Sequence, residues 1–300
     1  MLRMTAAFTM VLGMAGMGAA AAAADSVIAT VPVGDSPSWV AVTPDGSHAY
    51  VTNALGDSVS VIETTGNTVA TTVPVGGFPV GVAVTPDGSR AYVTNFDGGS
   101  VSVIETTGNT VATTVPVGDG PRGVAVTPDG SRAYVTNSRD NSVSVIETTG
   151  NTVATTIPVG ESPRGVAVTR DGSRAYVANG VGRSVSVIET TGNTVATTVP
   201  VGNYPTGVAI TPDGSRAYVT NFGGGSVSVI DTAGKTVATT VPVGNGPFAV
   251  AVTPDGSHAY VANFDDDTVS AIAIDRCTGS LCFDFGSLTG SGSGPGSAFS

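Results

Sequence analysis

The chain has 300 residues, 41% hydrophobic and only 12% charged, with 12 basic against 23 acidic side chains and a net charge of −11. That negative balance repels phosphate backbones and excludes general nucleic-acid binding. Charged residues fall well below the usual ~25%, and Thr, Ser, Gly and Val take their place, as expected of strands and turns.

In chain order, residues 1–24 carry a short positive start at Arg3, an apolar run, and small residues Ala22-Ala23-Ala24 before Asp25. This is the layout of a secretory signal peptide with its cleavage site. The alternative is an uncleaved anchor, because the run is almost long enough to span a bilayer. Its Ala- and Gly-rich, weakly apolar character favours cleavage. Loss of Arg3 leaves 11 basic and 23 acidic residues, a net charge of −12. The mature chain is thus expected to be extracytoplasmic, monomeric and without a transmembrane span.

From residue 25 to 275 one motif governs the sequence. Thr-Pro-Asp-Gly-Ser-Arg-Ala-Tyr-Val-Thr-Asn, clean at residues 85–95, recurs so that Asn53, Asn95, Asn137, Asn179, Asn221 and Asn263 fall 42 residues apart. A fixed period without insertions signals a repeat architecture. Each unit offers four short apolar segments, in the second unit residues 81–85, 90–94, 100–106 and 110–117. They are rich in Val, Thr, Ile and Tyr and lack a helical stripe. Thr-Pro-Asp-Gly supplies type I turn chemistry between the first two. Glu105–Asn109 supplies a glycine for a positive-φ position between the last two. The unit therefore reads as an antiparallel four-stranded meander. Its strands carry small or apolar residues on both faces, as in a sheet covered on both sides, and such sheets stacked around an axis make a β-propeller. Pro74, Pro116, Pro158, Pro200 and Pro242 mark the fourth strand as the outer edge, where a missing donor is tolerated.

Tyr92-Val93-Thr94-Asn95, with Pro-Asp-Gly before it and Ser-Val-Ser-Val-Ile after it, resembles the YVTN family of β-propeller repeats over residues 27–275. Two units read Tyr-Val-Ala-Asn, at Tyr176–Asn179 and Tyr260–Asn263, and Arg170 replaces a turn proline. The resemblance implies a surface-layer or extracytoplasmic protein. Residues 27–34 match the outer-strand segment one period before residues 69–76, so the expected fold is all-β: six four-stranded blades, closed by the N-terminal strand pairing into the last blade. Residues 276–300 read as a flexible Gly/Ser-rich tail. Its Cys277 and Cys282 either pair in an oxidising compartment or remain free thiols.

The second-to-third loops and the links between blades differ among copies whose strands barely change, and loops on a rigid frame are where specificity resides. On that face lie Arg122, Arg139, Arg164 and Arg183, with Trp39, Phe78, Phe96, Tyr204, Phe222, Phe248 and Phe264 around them. A basic sector flanked by aromatics suits an anionic or sugar-containing ligand; the alternative is solvated arginines and aromatics packed under their own loops. Asp265-Asp266-Asp267, with Asp97, suits Ca²⁺ or a solvated loop. His48 and His258 share a position filled by arginine elsewhere, read as a tolerant surface site. The repeating Asn and Asp read as local backbone-bonding devices. No nucleophile–His–acid set, HExxH or phosphate loop is present, and no metal or cofactor is expected. The reading is a non-catalytic scaffold at the cell surface for an unknown protein or envelope polymer. Its alternatives are a lactonase-like hydrolase acting at the channel mouth and a structural envelope component.

Overall fold

The computed structural model describes residues 28–274. The expected signal peptide, the Gly/Ser tail, Cys277 and Cys282 lie outside the described residues. By its contacts the chain divides at Thr30, and all the sheets belong to the unit Val31–Ser300.

Six antiparallel sheets follow one another in sequence order, and a single short 3-10 turn, Phe222–Gly224, is the only helical element among the described residues. Blade two shows the pattern: an inner strand Pro79–Val84, a second Arg90–Asn95, a third Ser100–Glu105 and an outer strand Thr110–Pro116. The second and third strands are buried along most of their length, while the outer strand alternates between exposed and half-buried. Both faces of the inner layers are therefore covered, as the sequence pattern implies. The chain is a six-bladed, essentially all-β propeller.

The first hairpin is fastened by its own side chains. Thr85 Oγ1 donates to Asp87 Oδ1 at 2.6 Å, and the Ser89 amide donates to the same oxygen at 3.0 Å. Gly88 closes the turn onto the Thr85 carbonyl with φ +73°. The same set forms around Asp171 although Arg170 stands where the other turns have proline, so the Asx bonds suffice without a preset φ.

The hairpin between the third and outer strands corrects one expectation. The positive-φ residue is not the glycine but the asparagine after it, Asn67, Asn109, Asn151 and Asn193, with Lys235 there in blade five. Asparagine tolerates the left-handed region, and its side chain is used: Tyr50, Tyr92 and Tyr134 each donate a hydroxyl to the Oδ1 of Asn109, Asn151 and Asn193 on the following blade. Arg90, Arg132 and Arg174 also bridge blades, each joining a glutamate of its own blade to a carbonyl of the next. These arginines have work that His48 and His258 do not share, so the position is not simply a tolerant surface site.

Inner strands approach one another through glycine. A Cβ on Gly81, Gly123 or Gly165 would stand 2.3–2.4 Å from the carbonyl oxygen of Arg122, Arg164 or Thr206 on the next inner strand. Thr94 and Thr136 donate to those carbonyls of Arg122 and Arg164 at 2.7 and 2.6 Å.

Blade six breaks this rule on its outward side. Ala249, and Trp39 in blade one, stand where blades two to five have glycine, and Ala262, like Ala178 in blade four, stands where the others have threonine. Inner strands pack pairwise from blade one through blade six, with no comparable packing between blade six and blade one. Tyr260 is 47% exposed, whereas its five counterparts are buried; Val269 is 65% and Val40 57% exposed. A cleft of about 590 Å³ separates the two blades.

The expected closure is thus corrected. Among the described residues blade six has three strands, Pro247–Val252, His258–Asn263 and Thr268–Ala273, and residues 28–36 form no strand. The last of those residues are held by blade one instead, whose Ala54 and Leu55 amides donate to the Ser36 and Asp35 carbonyls.

Candidate functional site

The variable loops lie together on one face. The Ala54, Phe96, Ser138, Gly180, Phe222 and Phe264 amides donate to carbonyls of the preceding inter-blade links. Their backbone is nearly invariant: the link residues Ser36, Phe78, Gly120, Ser162, Tyr204 and Gly246 all have φ between 52° and 64°. Phe78 and Tyr204 therefore occupy a conformation that glycine holds without strain in blades three and six. A bulky residue kept in such a place is there for its side chain.

Most of the expected site residues gather around the channel mouth, but the key ones are not on loops. Arg122 and Arg164 are the second residues of the inner strands Pro121–Val126 and Pro163–Val168. The same position in the other blades is Ser38, Val80, Thr206 and Phe248. This ring of inner-strand positions varies around the channel, whereas the next position is glycine in blades two to five and departs from it only at Trp39 and Ala249. Val80, Arg122, Arg164, Thr206 and Phe248 of this ring line a cavity of about 100 Å³ in the channel, together with Trp39 and with valines and glycines of the inner strands.

Two guanidiniums meet one aromatic ring. Arg122 lies 4.5 Å and Arg139 4.4 Å from the Phe96 centroid, with Phe78 beside it at 5.9 Å. Arg164 lies 4.4 Å from the Tyr204 ring and bonds its hydroxyl. From Tyr204 the aromatic arc continues through Phe222 and Phe248 to Phe264, at centroid spacings of 6.1, 6.4 and 6.5 Å. Such cation–π and edge contacts hold the planar groups in place.

The arginines are not electrically equivalent. Arg139 is exposed and paired with Asp97 and Asp119 at 3.4 and 3.3 Å. Arg122 and Arg164 have no carboxylate within ion-pairing distance among the described residues. Burial lowers the pKa of both, and the like charges of Arg164 and Arg139 lower Arg122 further. Arg164 Nε is buried with no hydrogen-bond partner. Arg183 stands apart, exposed in its loop, and Phe264 ends the arc largely exposed.

The acidic loop does not gather as a cation site. Asp266 accepts from the amide and side chain of Asn245 at 2.6 and 2.9 Å, while Asp97 is engaged by Arg139. Among the described residues no three His, Cys, Asp or Glu stand close enough to hold a metal. His48 and His258 each meet the neighbouring serine hydroxyl, at 2.8 and 2.7 Å, and His258 also stacks on the Tyr260 ring at 6.2 Å. The six strand-ending asparagines are buried, and each Nδ2 donates to two hydroxyls of the third strand, as Asn95 does to Ser100 and Ser102. Their role is structural, as expected, but their partners are side chains rather than backbone.

Comparison with known proteins agrees with this architecture. A family model described as the virginiamycin B lyase family matches residues 15–273, and the chain belongs to that family. Comparison with curated proteins finds no match. Among solved structures, a functionally unknown protein from Desulfotomaculum acetoxidans aligns with a TM-score of 0.71 at 20% identity, covering 81% of this chain and 84% of that one. A putative 6-phosphogluconolactonase from Bacteroides uniformis aligns with a TM-score of 0.71 at 18% identity, covering 83% of each. The hydrazine synthase of Kuenenia stuttgartiensis aligns over 83% of this chain and 99% of that chain, with a TM-score of 0.57 at 23% identity. At these identities the likeness concerns the fold.

Proposed function

We propose that this member of the virginiamycin B lyase family is an exported binding module, and that its site is the arginine–aromatic mouth of the channel. One observation carries the reading: Arg122 and Arg164 present uncompensated guanidiniums from rigid strands into an apolar channel, in a chain whose net charge is −11. Desolvated positive charges without carboxylate partners are costly, and an anionic ligand removes that cost through charge-assisted, bidentate hydrogen bonds. The ligand is an anionic group of the cell envelope or of a partner displayed there. The signal-peptide layout of residues 1–24 and the resemblance to YVTN repeats support an extracytoplasmic, surface-associated location. No helix among the described residues is long and apolar enough to cross a membrane.

The test is binding of the mature chain to isolated envelope, compared with an Arg122→Ala/Arg164→Ala variant. Saturable binding that weakens with salt and is lost in the variant is expected. Equal binding by both would remove the site from the mouth.

A second reading has its own support, the family match itself: an enzyme of the virginiamycin B lyase kind acting at the same mouth. Incubation with virginiamycin B, with and without added divalent cation, followed by mass spectrometry decides it. Unchanged antibiotic favours the binding module. A cleaved product abolished by the arginine variant makes the mouth catalytic.

A further inference from the structure

The channel and the cleft between blades six and one are continuous, because Trp39, Phe248 and Val250 line both. From the arginines inward the wall is valine. Beyond Trp39 it becomes the exposed side of blade one and the exposed side of blade six, including Val40, Tyr260 and Val269. A buried positive end therefore opens into a long apolar trough that reaches solvent sideways. Along this side Val40, Tyr260 and Val269 stay exposed, and among the described residues no inner-strand packing of the kind seen at the other five junctions closes it.

We propose that the mouth and the cleft together bind a single-chain anionic amphiphile, a carboxylate on a long apolar tail. The head sits between Arg122 and Arg164, and the tail runs past Trp39 into the cleft. This rests on the reading of the mouth as an anion site and adds the tail. Charge complementarity fixes the head, because the arginines lack carboxylate partners while the remaining lining is mostly apolar. Burial of methylenes against Trp39, Val40, Tyr260 and Val269 supplies the affinity that a bare anion would lack.

Trp39 is the only tryptophan in the chain, so its fluorescence reports on the junction directly. The experiment titrates dodecanoate, below its micelle-forming concentration, into the mature chain and follows Trp39 emission and heat. Benzoate serves as a compact anion and dodecanol as an uncharged tail. Dodecanoate is expected to bind saturably and shift Trp39 emission, at least about tenfold more tightly than either benzoate or dodecanol. Arg122→Ala/Arg164→Ala is expected to weaken dodecanoate about tenfold or more. Val269→Arg, at an exposed position that a folded chain accommodates, is expected to weaken dodecanoate while leaving benzoate unchanged.

Benzoate binding with dodecanoate no tighter would overturn the amphiphile and leave the anion site standing. Failure of both anions would overturn both readings. Dodecanoate binding that ignores the arginines, or that leaves Trp39 emission unmoved, also overturns the proposal. So does a dimer by light scattering that Val269→Arg dissociates, since the cleft would then belong to a second copy.

Discussion

At the scale of single residues, the repeats reuse a few polar devices. Asn137 is fully buried, and its Nδ2 donates to Ser142 and Ser144 at 3.0 and 2.9 Å. Asn137→Ala leaves two buried hydroxyls without that donor and should cost about 1–3 kcal/mol in urea unfolding. Loss below about 0.5 kcal/mol would show that the hydroxyls find other partners. Arg183 makes the opposite case. It is exposed at φ 47°, where a side chain costs roughly 1–2 kcal/mol. Arg183→Gly should therefore stabilise the chain by up to about 1 kcal/mol, because glycine's larger unfolded-state entropy returns part of the gain. The turn aspartates set the acid limit. Hydrogen bonds from Thr43, then from the Ser47 amide and hydroxyl, hold Asp45 down to about 2, and Asp87, Asp129, Asp171 and Asp213 are lowered for the same reason. A folded-state pKa below the unfolded value near ~3.9 contributes stability that is complete above that value and disappears as pH falls toward 2. The melting temperature should drop across that window, and Asp45→Asn should flatten the drop.

At the scale of strands and blades, the junction is the informative unit. Gly123→Ala would place a Cβ 2.4 Å from the Arg164 carbonyl oxygen and should destabilise by about 1–3 kcal/mol through overpacking. Ala249→Gly, at the matching position of blade six, faces no such neighbour and should change the melting temperature little. A large effect there would mean that blades six and one do pack in solution. Much of this level was legible in the sequence. The 42-residue period counted the blades, the prolines identified the outer edge, and copy-to-copy variation picked out loops that the structure gathers on one face. The positive-φ position was misread because Gly108 and Asn109 both tolerate it, and only the Tyr50 hydroxyl on the preceding blade decides between them. Arg122 and Arg164 were recognised as a basic sector but assigned to loops, since an arginine beginning a strand looks like the end of the preceding link. The signal was present in the ring of aligned positions Ser38, Val80, Arg122, Arg164, Thr206 and Phe248, the inner-strand position that differs most among the six blades.

At the scale of the whole molecule, a period specifies how many blades there are but not the angle each one subtends, and that is why the open junction escaped the sequence pattern. In a repeat protein each unit is stabilised by its own core and by the interfaces on either side. Blades two to five have two such interfaces, whereas blades one and six have one, with Val40, Val42, Tyr260 and Val269 left in solvent. Blade six, with its three described strands, also lacks a paired outer edge. Local opening should therefore run inward from both ends of the arc. Native-state hydrogen exchange tests this directly: amides of the second and third strands should be most protected in blades three and four and least protected in blades six and one. Uniform protection around the six blades would contradict an open junction. Addition of dodecanoate sharpens the test, because a ligand bound only to the native state protects the surfaces it bridges. Protection should then rise chiefly in blades one and six, flanking the cleft, and by much less in blade five, although blade five also contributes Thr206 and Val208 to the channel wall.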